Sequence, residues 1–184
     1  MPLAQRADII TPVCWPGLLS PTECAIWREE YSTGTMAFAD TEDDYEPVRQ
    51  SRVVLVDTEK ASPPLKSILS KIFDACRAIF PIDISGIDPT LNLLAYDEGD
   101  FFHWHIDAGT GEYRERKLTV CIQLSRADEY EGGDLEFFPS YRPRDGRALG
   151  TVTAFTPFVW HRVTPLHRGK RMAAVLWLTG PAFR

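Results

Sequence analysis

No stretch of the 184-residue chain approaches the roughly 18 uninterrupted apolar positions that a membrane-spanning helix needs. The N-terminal residues MPLAQRADIITPVCWPG lack a charged region followed by an apolar stretch, so no secretory signal is expected and a cytoplasmic location is. Cysteine is scarce. Cys14, Cys24, Cys76 and Cys121 form no CxxC pair and no short metal-finger spacing, and Cys76 and Cys121 sit in apolar runs as small buried hydrophobes do. Repeats, low-complexity tracts and dividing linkers are also missing, which reads as one domain over residues 1–184. With 44% hydrophobic and 25% charged residues, the composition excludes a disordered chain, a collagen and a coiled coil.

Positive charge is in deficit. The formal net charge is −6, made up of −13 over residues 1–140 and +7 over residues 141–184. An acidic chain is poorly suited to tracking a polyanion such as nucleic acid. The basic C-terminal stretch reads as a solvated face or as a place for one small anion.

Two helices are legible. Ser20-Pro21-Thr22-Glu23 is a capping box with proline at the first helical position, and a helix follows to about Tyr31. Ser62-Pro63-Pro64 opens a second, running to about Phe80, with Leu65, Ile68, Leu69, Ile72, Phe73, Cys76 and Ile79 at helical spacing. RVVLVD (52–57) reads as a strand. Between the first helix and that strand, residues 39–47 read as an acidic loop. From residue 90 the pattern changes to short strand-like runs at 90–96, 101–107, 117–125, 134–138, 150–155, 159–163 and 172–178, separated by turn residues. The expected fold is mainly β, a sandwich or barrel with the N-terminal helices packed on one sheet.

The chemistry concentrates at His103-Trp104-His105-Ile106-Asp107. On a strand, residues i and i+2 share a face, so His103, His105 and Asp107 are expected to point one way. Three ligands at that spacing would span about 13 Å, too far for one ion. His105 and Asp107, joined by His161 from a later strand, would instead form a two-histidine, one-carboxylate triad suited to non-haem Fe(II). His103 reads as a rim residue or a plain exposed histidine. Arg171, ten residues past His161, offers a planar fork for a carboxylate.

These residues fall into register with a known family. Tyr96, Gly99, Phe102, His105 and Asp107 match YxxGxxFxxHxD, His161 to Arg171 matches HxVxPxxxGxR, and Gly132-Gly133 lies between them. Over about residues 90–180 the chain resembles the Fe(II)- and 2-oxoglutarate-dependent dioxygenases, in their prolyl 4-hydroxylase-like branch. The resemblance implies a double-stranded β-helix, or jelly-roll, core with Fe(II), 2-oxoglutarate and O2 as cofactor and cosubstrates. It implies His105, Asp107 and His161 as iron ligands and Arg171 as the partner of the distal carboxylate of 2-oxoglutarate. It places Tyr96, Thr119, Gln123 and Trp177 around the cosubstrate, with Gln123 donating to the same carboxylate where related hydroxylases often carry a tyrosine. The implied reaction is hydroxylation of an unactivated C–H, in a prolyl or other amino-acid side chain of a peptide, protein or amino acid, with no membrane partner. Loop 34–50, carrying Glu42, Asp43, Asp44 and Glu46, falls where such enzymes often carry a mobile substrate-covering loop; the plainer reading is a solvated acidic loop. Two other functions share the triad: an oxidative nucleic-acid demethylase, which the acidic charge disfavours, and a non-catalytic metal-binding sandwich, which has no use for Arg171.

Overall fold

The computed structural model describes residues 8–38, 41–43 and 46–183. In chain order the elements are β1 (Val13–Trp15), α1 (Pro21–Thr33), β2 (Met36–Phe38), β3 (Thr41–Asp43), β4 (Glu46–Gln50), β5 (Arg52–Asp57), α2 (Pro63–Ile79), β6 (Gly86–Ile87), β7 (Thr90–Tyr96) and β8 (Phe101–His105). A 3-10 turn (Gly111–Glu115) leads to β9 (Arg116–Gln123), followed by β10 (Tyr130–Gly132), β11 (Leu135–Phe137), β12 (Val152–Phe155), β13 (His161–Val163), β14 (Leu166–Gly169) and β15 (Arg171–Thr179). The strands build a major antiparallel sheet in the order β1-β12-β9-β15-β7-β5-β2, with β6 on β15, and a minor sheet in the order β11-β13-β8-β4-β3. β10 and β14 pair separately.

Alternation along the major sheet divides its residues between two environments. Leu118, Val120 and Ile122 of β9 and Ala174, Leu176 and Leu178 of β15 join one buried cluster with Leu65, Ile68, Leu69, Ile72 and Cys76 of α2. Residues of the opposite parity in the same strands, with Asn92, Leu94 and Tyr96 of β7, line the space between the two sheets. Helix α1 begins as its capping box dictates: Ser20 Oγ accepts from Glu23 N–H at 3.2 Å, and Glu23 Oε2 accepts from Ser20 N–H at 2.7 Å. Among the described residues, no helix is long and apolar enough to cross a membrane.

Two local expectations change. The acidic stretch is not wholly loop, because residues 41–43 and 46–50 pair as β3 and β4, and β4 continues onto β8. Asp44 and the other residues of 39–40 and 44–45 lie outside the described set. The strand carrying the histidines also stops at His105, and its pairing with β13 is bulged: His161 faces His105, whereas Val163 faces Phe102. An extra residue on one strand reverses the alternation beyond it. Phe102 therefore stacks on His105, with ring centroids 3.6 Å apart, and His103 is turned out to solvent.

Candidate active site

Between the sheets lies a chamber of about 110 Å³ walled by His105, Asp107 and His161 on one side and by Tyr96, Cys121 and Trp177 of the major sheet on the other. His105 and His161 are neighbours across the β8–β13 pair. Asp107 follows the end of β8, its backbone N–H donating to Pro157 O at 2.9 Å, which swings the carboxylate back towards both rings. His105 Nε2 is 3.7 Å from Asp107 Oδ1, and His161 Nε2 is 3.8 Å from Asp107 Oδ2. One donor atom from each of the three residues lies within 4.8 Å of the others. Ligand atoms held about 2.1 Å from one ion are themselves separated by about 3–4 Å, so the group can close on a metal with small side-chain movements.

The donors are already oriented. Each ring is anchored to the carbonyl two residues before it: His105 Nδ1–H donates to His103 O at 2.8 Å, and His161 Nδ1–H to Val159 O at 3.0 Å. That tautomer leaves both Nε2 lone pairs for a cation. His103 thus contributes its carbonyl, not its ring. Burial, reinforced by the neighbouring His161, pushes the His105 imidazole down to about 4, so it is neutral at pH 7. Burial acts to raise the Asp107 carboxyl, but His161, His105 and its hydrogen bonds outweigh it and hold the group below the usual carboxylate range. The chamber's thiol does not compete: burial pushes Cys121 up to about 12, and a protonated thiol is a poor ligand.

Thr119 and Trp177, read from the sequence as walls of the cosubstrate pocket, sit opposite each other on β9 and β15. Both donate to one atom, Asp107 Oδ2, from Thr119 Oγ1 at 2.6 Å and Trp177 Nε1 at 3.1 Å. Two donors on one oxygen fix the carboxylate's orientation and its charge. Tyr96 stands in the chamber wall, fully enclosed; burial pushes its phenol up, against the opposing influence of Arg49 and Arg171.

Arg171 pairs in register with Tyr96, and its guanidinium carbon lies 5.4 Å from the Tyr96 ring centre. The residue is 5% exposed, and Nε and Nη1 are buried without a hydrogen-bond partner. Burying such a charge is costly unless something anionic meets it. Gln123 departs from the donor role expected of it. Its Nε2 donates to Ser125 O at 3.0 Å and to the Tyr130 hydroxyl at 2.9 Å, which leaves Oε1 buried and unpartnered.

Two arginines escaped the sequence reading. Arg49 on β4 is buried in the chamber wall, with Nη2 unpartnered and Nε donating to Ser51 Oγ at 2.9 Å. Nothing in an apparently acidic loop signals that role. Arg116, at the start of β9, lies over the Trp177 ring at 3.7 Å and the Tyr113 ring at 4.3 Å. It borders an open groove of about 870 Å³ that runs past the metal-facing atoms, between Val48, Phe102 and Ile106 on one side and Asp88, Tyr113 and Glu115 on the other.

A two-sheet β-sandwich with two histidines and a carboxylate at its mouth, and a buried arginine deeper in, defines a jelly-roll oxygenase. The sequence model of the 2OG-Fe(II) oxygenase superfamily matches residues 91–179, which span both motifs. A PKHD-type hydroxylase of Bordetella pertussis is 28% identical over 188 residues, covering 96% of this chain and 77% of the relative. The fold is shared with a prolyl-4-hydroxylase of Pseudomonas putida (TM-score 0.69, 18% identity, 92% of each chain). It is shared equally with a prolyl hydroxylase of Trichoplax adhaerens solved with a peptide of hypoxia inducible factor (TM-score 0.69, 18% identity, 91% of this chain and 83% of that one). The protein is a 2-oxoglutarate-dependent dioxygenase, and Fe(II), 2-oxoglutarate and O2 are its cofactor and cosubstrates. The donor set fits: neutral imidazole and carboxylate ligands on one side of an ion are those of non-haem Fe(II).

Proposed function

We propose that the protein hydroxylates an unactivated C–H bond in a prolyl or other amino-acid side chain of a peptide or protein segment, with His105, Asp107 and His161 holding Fe(II) and Arg171 meeting the distal carboxylate of 2-oxoglutarate. The observation that carries this reading is the convergence of the three metal-facing donors, two of them, His105 and Asp107, in the wall of an open groove, with the buried Arg171 guanidinium, whose Nε and Nη1 have no partner among the described residues, on the adjoining wall. When bound, Fe(II) supplies the oxidative chemistry, in which O2 is consumed, 2-oxoglutarate leaves as succinate and CO2, and one oxygen atom enters the substrate.

The chain's own residues prepare that chemistry. Thr119 and Trp177 keep Asp107 ionised and aimed. The carbonyls of His103 and Val159 hold both rings in the ligating tautomer. Tyr96, Leu94 and Val175 exclude water from the chamber, and Arg171 is buried beside Tyr96, where a charge pair is stronger than at the surface. The groove favours an extended peptide over a phosphodiester: its walls carry the carboxylates of Asp88, Asp107 and Glu115, and Arg116 faces Asp88, with Nε 3.9 Å from Oδ2. The prolyl hydroxylases among the structural relatives, one of them solved with a peptide, agree with this choice.

The test is mass spectrometry of proline-containing peptides after incubation with the protein, Fe(II), 2-oxoglutarate and O2. A peptide that gains one oxygen atom on an amino-acid side chain, in step with succinate formation, is the expected result. Oxidation of an alkylated oligonucleotide, with no peptide modified, would reject the reading.

A further inference from the structure

The end of the cleft remote from the metal-facing atoms is not closed. Arg171 lies in the wall of a second cavity of about 260 Å³, on the other side of Leu135 from the metal chamber; among the described residues Leu135 lines both. Among the described residues, its Nε and Nη1 have no hydrogen bond to pin them. Gln123, beside it in the same wall, offers an orphaned acceptor oxygen and no free N–H, so it gives a carboxylate nothing to bind. Gly133, with φ 62°, lets the Arg171 stem pass close to the backbone: a Cβ there would lie 2.8 Å from Leu166 Cδ1 and 3.1 Å from Arg171 Cδ. Positive charge continues outward along the cavity through Arg142, Arg144 and Arg147. Arg142 and Arg147 are already engaged with Asp134, at 2.8 and 2.6 Å.

We infer that the cosubstrate site accepts a longer chain than 2-oxoglutarate, and that the six-carbon 2-oxo dicarboxylate, 2-oxoadipate, binds the metal-loaded protein with comparable affinity. This rests on the reading of Arg171 as the clamp for the distal carboxylate. One surplus methylene in a closed apolar pocket is rejected by about tenfold or more, because the walls cannot move. Here the group that must move is a long, flexible side chain with empty, polar space behind it. Retreat of the guanidinium into the rear cavity lengthens the site while keeping the charge pair.

The experiment is calorimetric titration of the Mn(II)-loaded protein with 2-oxoglutarate and with 2-oxoadipate, which reads binding without turnover. The expected dissociation constants lie within about tenfold of each other, the discrimination a closed pocket would exceed. Gln123→Phe, which fills the rear cavity, should raise the ratio of the two constants by about tenfold or more, and a ratio is insensitive to general weakening. If the wild-type protein binds the five-carbon acid and rejects the six-carbon acid beyond that limit, the inference is wrong and the clamp stands. If Arg171→Ala leaves the binding of both acids unchanged, the clamp reading fails and takes the inference with it.

Discussion

At the metal end of the cleft both imidazole Nδ1 atoms and Asp107 Oδ2 are hydrogen-bonded within the protein, whereas at the arginine end Arg171 Nε and Nη1 and Gln123 Oε1 have no partner. The difference follows from what each end must do. A metal site needs its ligands deprotonated and convergent before the ion arrives, and the protein can supply the hydrogen bonds that enforce this. In the proposed reading the carboxylate that Arg171 would meet belongs to the cosubstrate, so the protein itself need not supply the guanidinium's partner. The metal end should therefore be rigid and specific by itself, and the arginine end should acquire order and stability from cosubstrate.

Removing a ligand at the finished end should have the largest effect. Asp107→Ala deletes one of three donors and strands the Thr119 hydroxyl and the Trp177 N–H. Its Mn(II) affinity, measured by calorimetry, should fall by more than the roughly 10–100-fold typical of losing an outer hydrogen bond, and turnover should vanish. At the other end, if Arg171 is the proposed clamp, Arg171→Ala removes one partner of a buried charged pair, and 2-oxoglutarate affinity should fall by on the order of 3–5 kcal/mol, or about a hundredfold or more. The same variant, free of cosubstrate, should melt no lower than the wild type, since it sheds an unpaired buried charge. The increase in melting temperature that 2-oxoglutarate gives the metal-loaded wild type should disappear with it. Arg171→Lys should fall between the two, because it keeps the charge and loses the planar fork.

Trp177→Phe keeps the ring and removes only the N–H that holds Asp107 Oδ2. Mn(II) affinity should drop by about 10–100-fold, with the 2-oxoglutarate affinity of the metal-saturated protein little changed. The smallest effect lies outside the cleft, in the α1 cap. Glu23→Ala breaks the capping box and the 2.9 Å ion pair with Lys71, and should cost about 1 kcal/mol in chemical denaturation. The Ser20 N–H and Lys71 hold the Glu23 carboxyl below its usual 4.5. Its contribution is thus fully present above pH 4.5 and is lost as pH falls through the depressed folded-state value. The stability gap between wild type and variant should narrow in acid.

Much of this cleft is written locally in the chain. Ser20 and Glu23 name the start of α1, strand alternation separates Thr119 and Cys121 from Leu118 and Val120, and the spacing of His105, Asp107, His161 and Arg171 marks both ends of the cleft. What escaped depends on long-range pairing. The bulge opposite His161 turns His103 outward and brings Phe102 onto His105, and one-strand alternation cannot foresee an extra residue. Arg49 reaches the chamber because β4 adds to β8, a pairing that its acidic surroundings do not signal. The two donors on Asp107 Oδ2 come from strands that meet only in the sheet. The Gln123 amide is oriented by Tyr130, seven positions on, after the chain has turned.

The contrast between the two ends is tested most directly by crossing two variants with two ligands. Trp177→Phe and Arg171→Ala are each titrated with Mn(II) alone and then, once saturated, with 2-oxoglutarate. The expected pattern is reciprocal: Trp177→Phe loses metal affinity and keeps cosubstrate affinity, and Arg171→Ala keeps metal affinity and loses cosubstrate affinity by about a hundredfold. Parallel loss of both affinities in both variants would contradict it, showing one cooperative site in place of a preorganised metal centre joined to a clamp that its ligand completes.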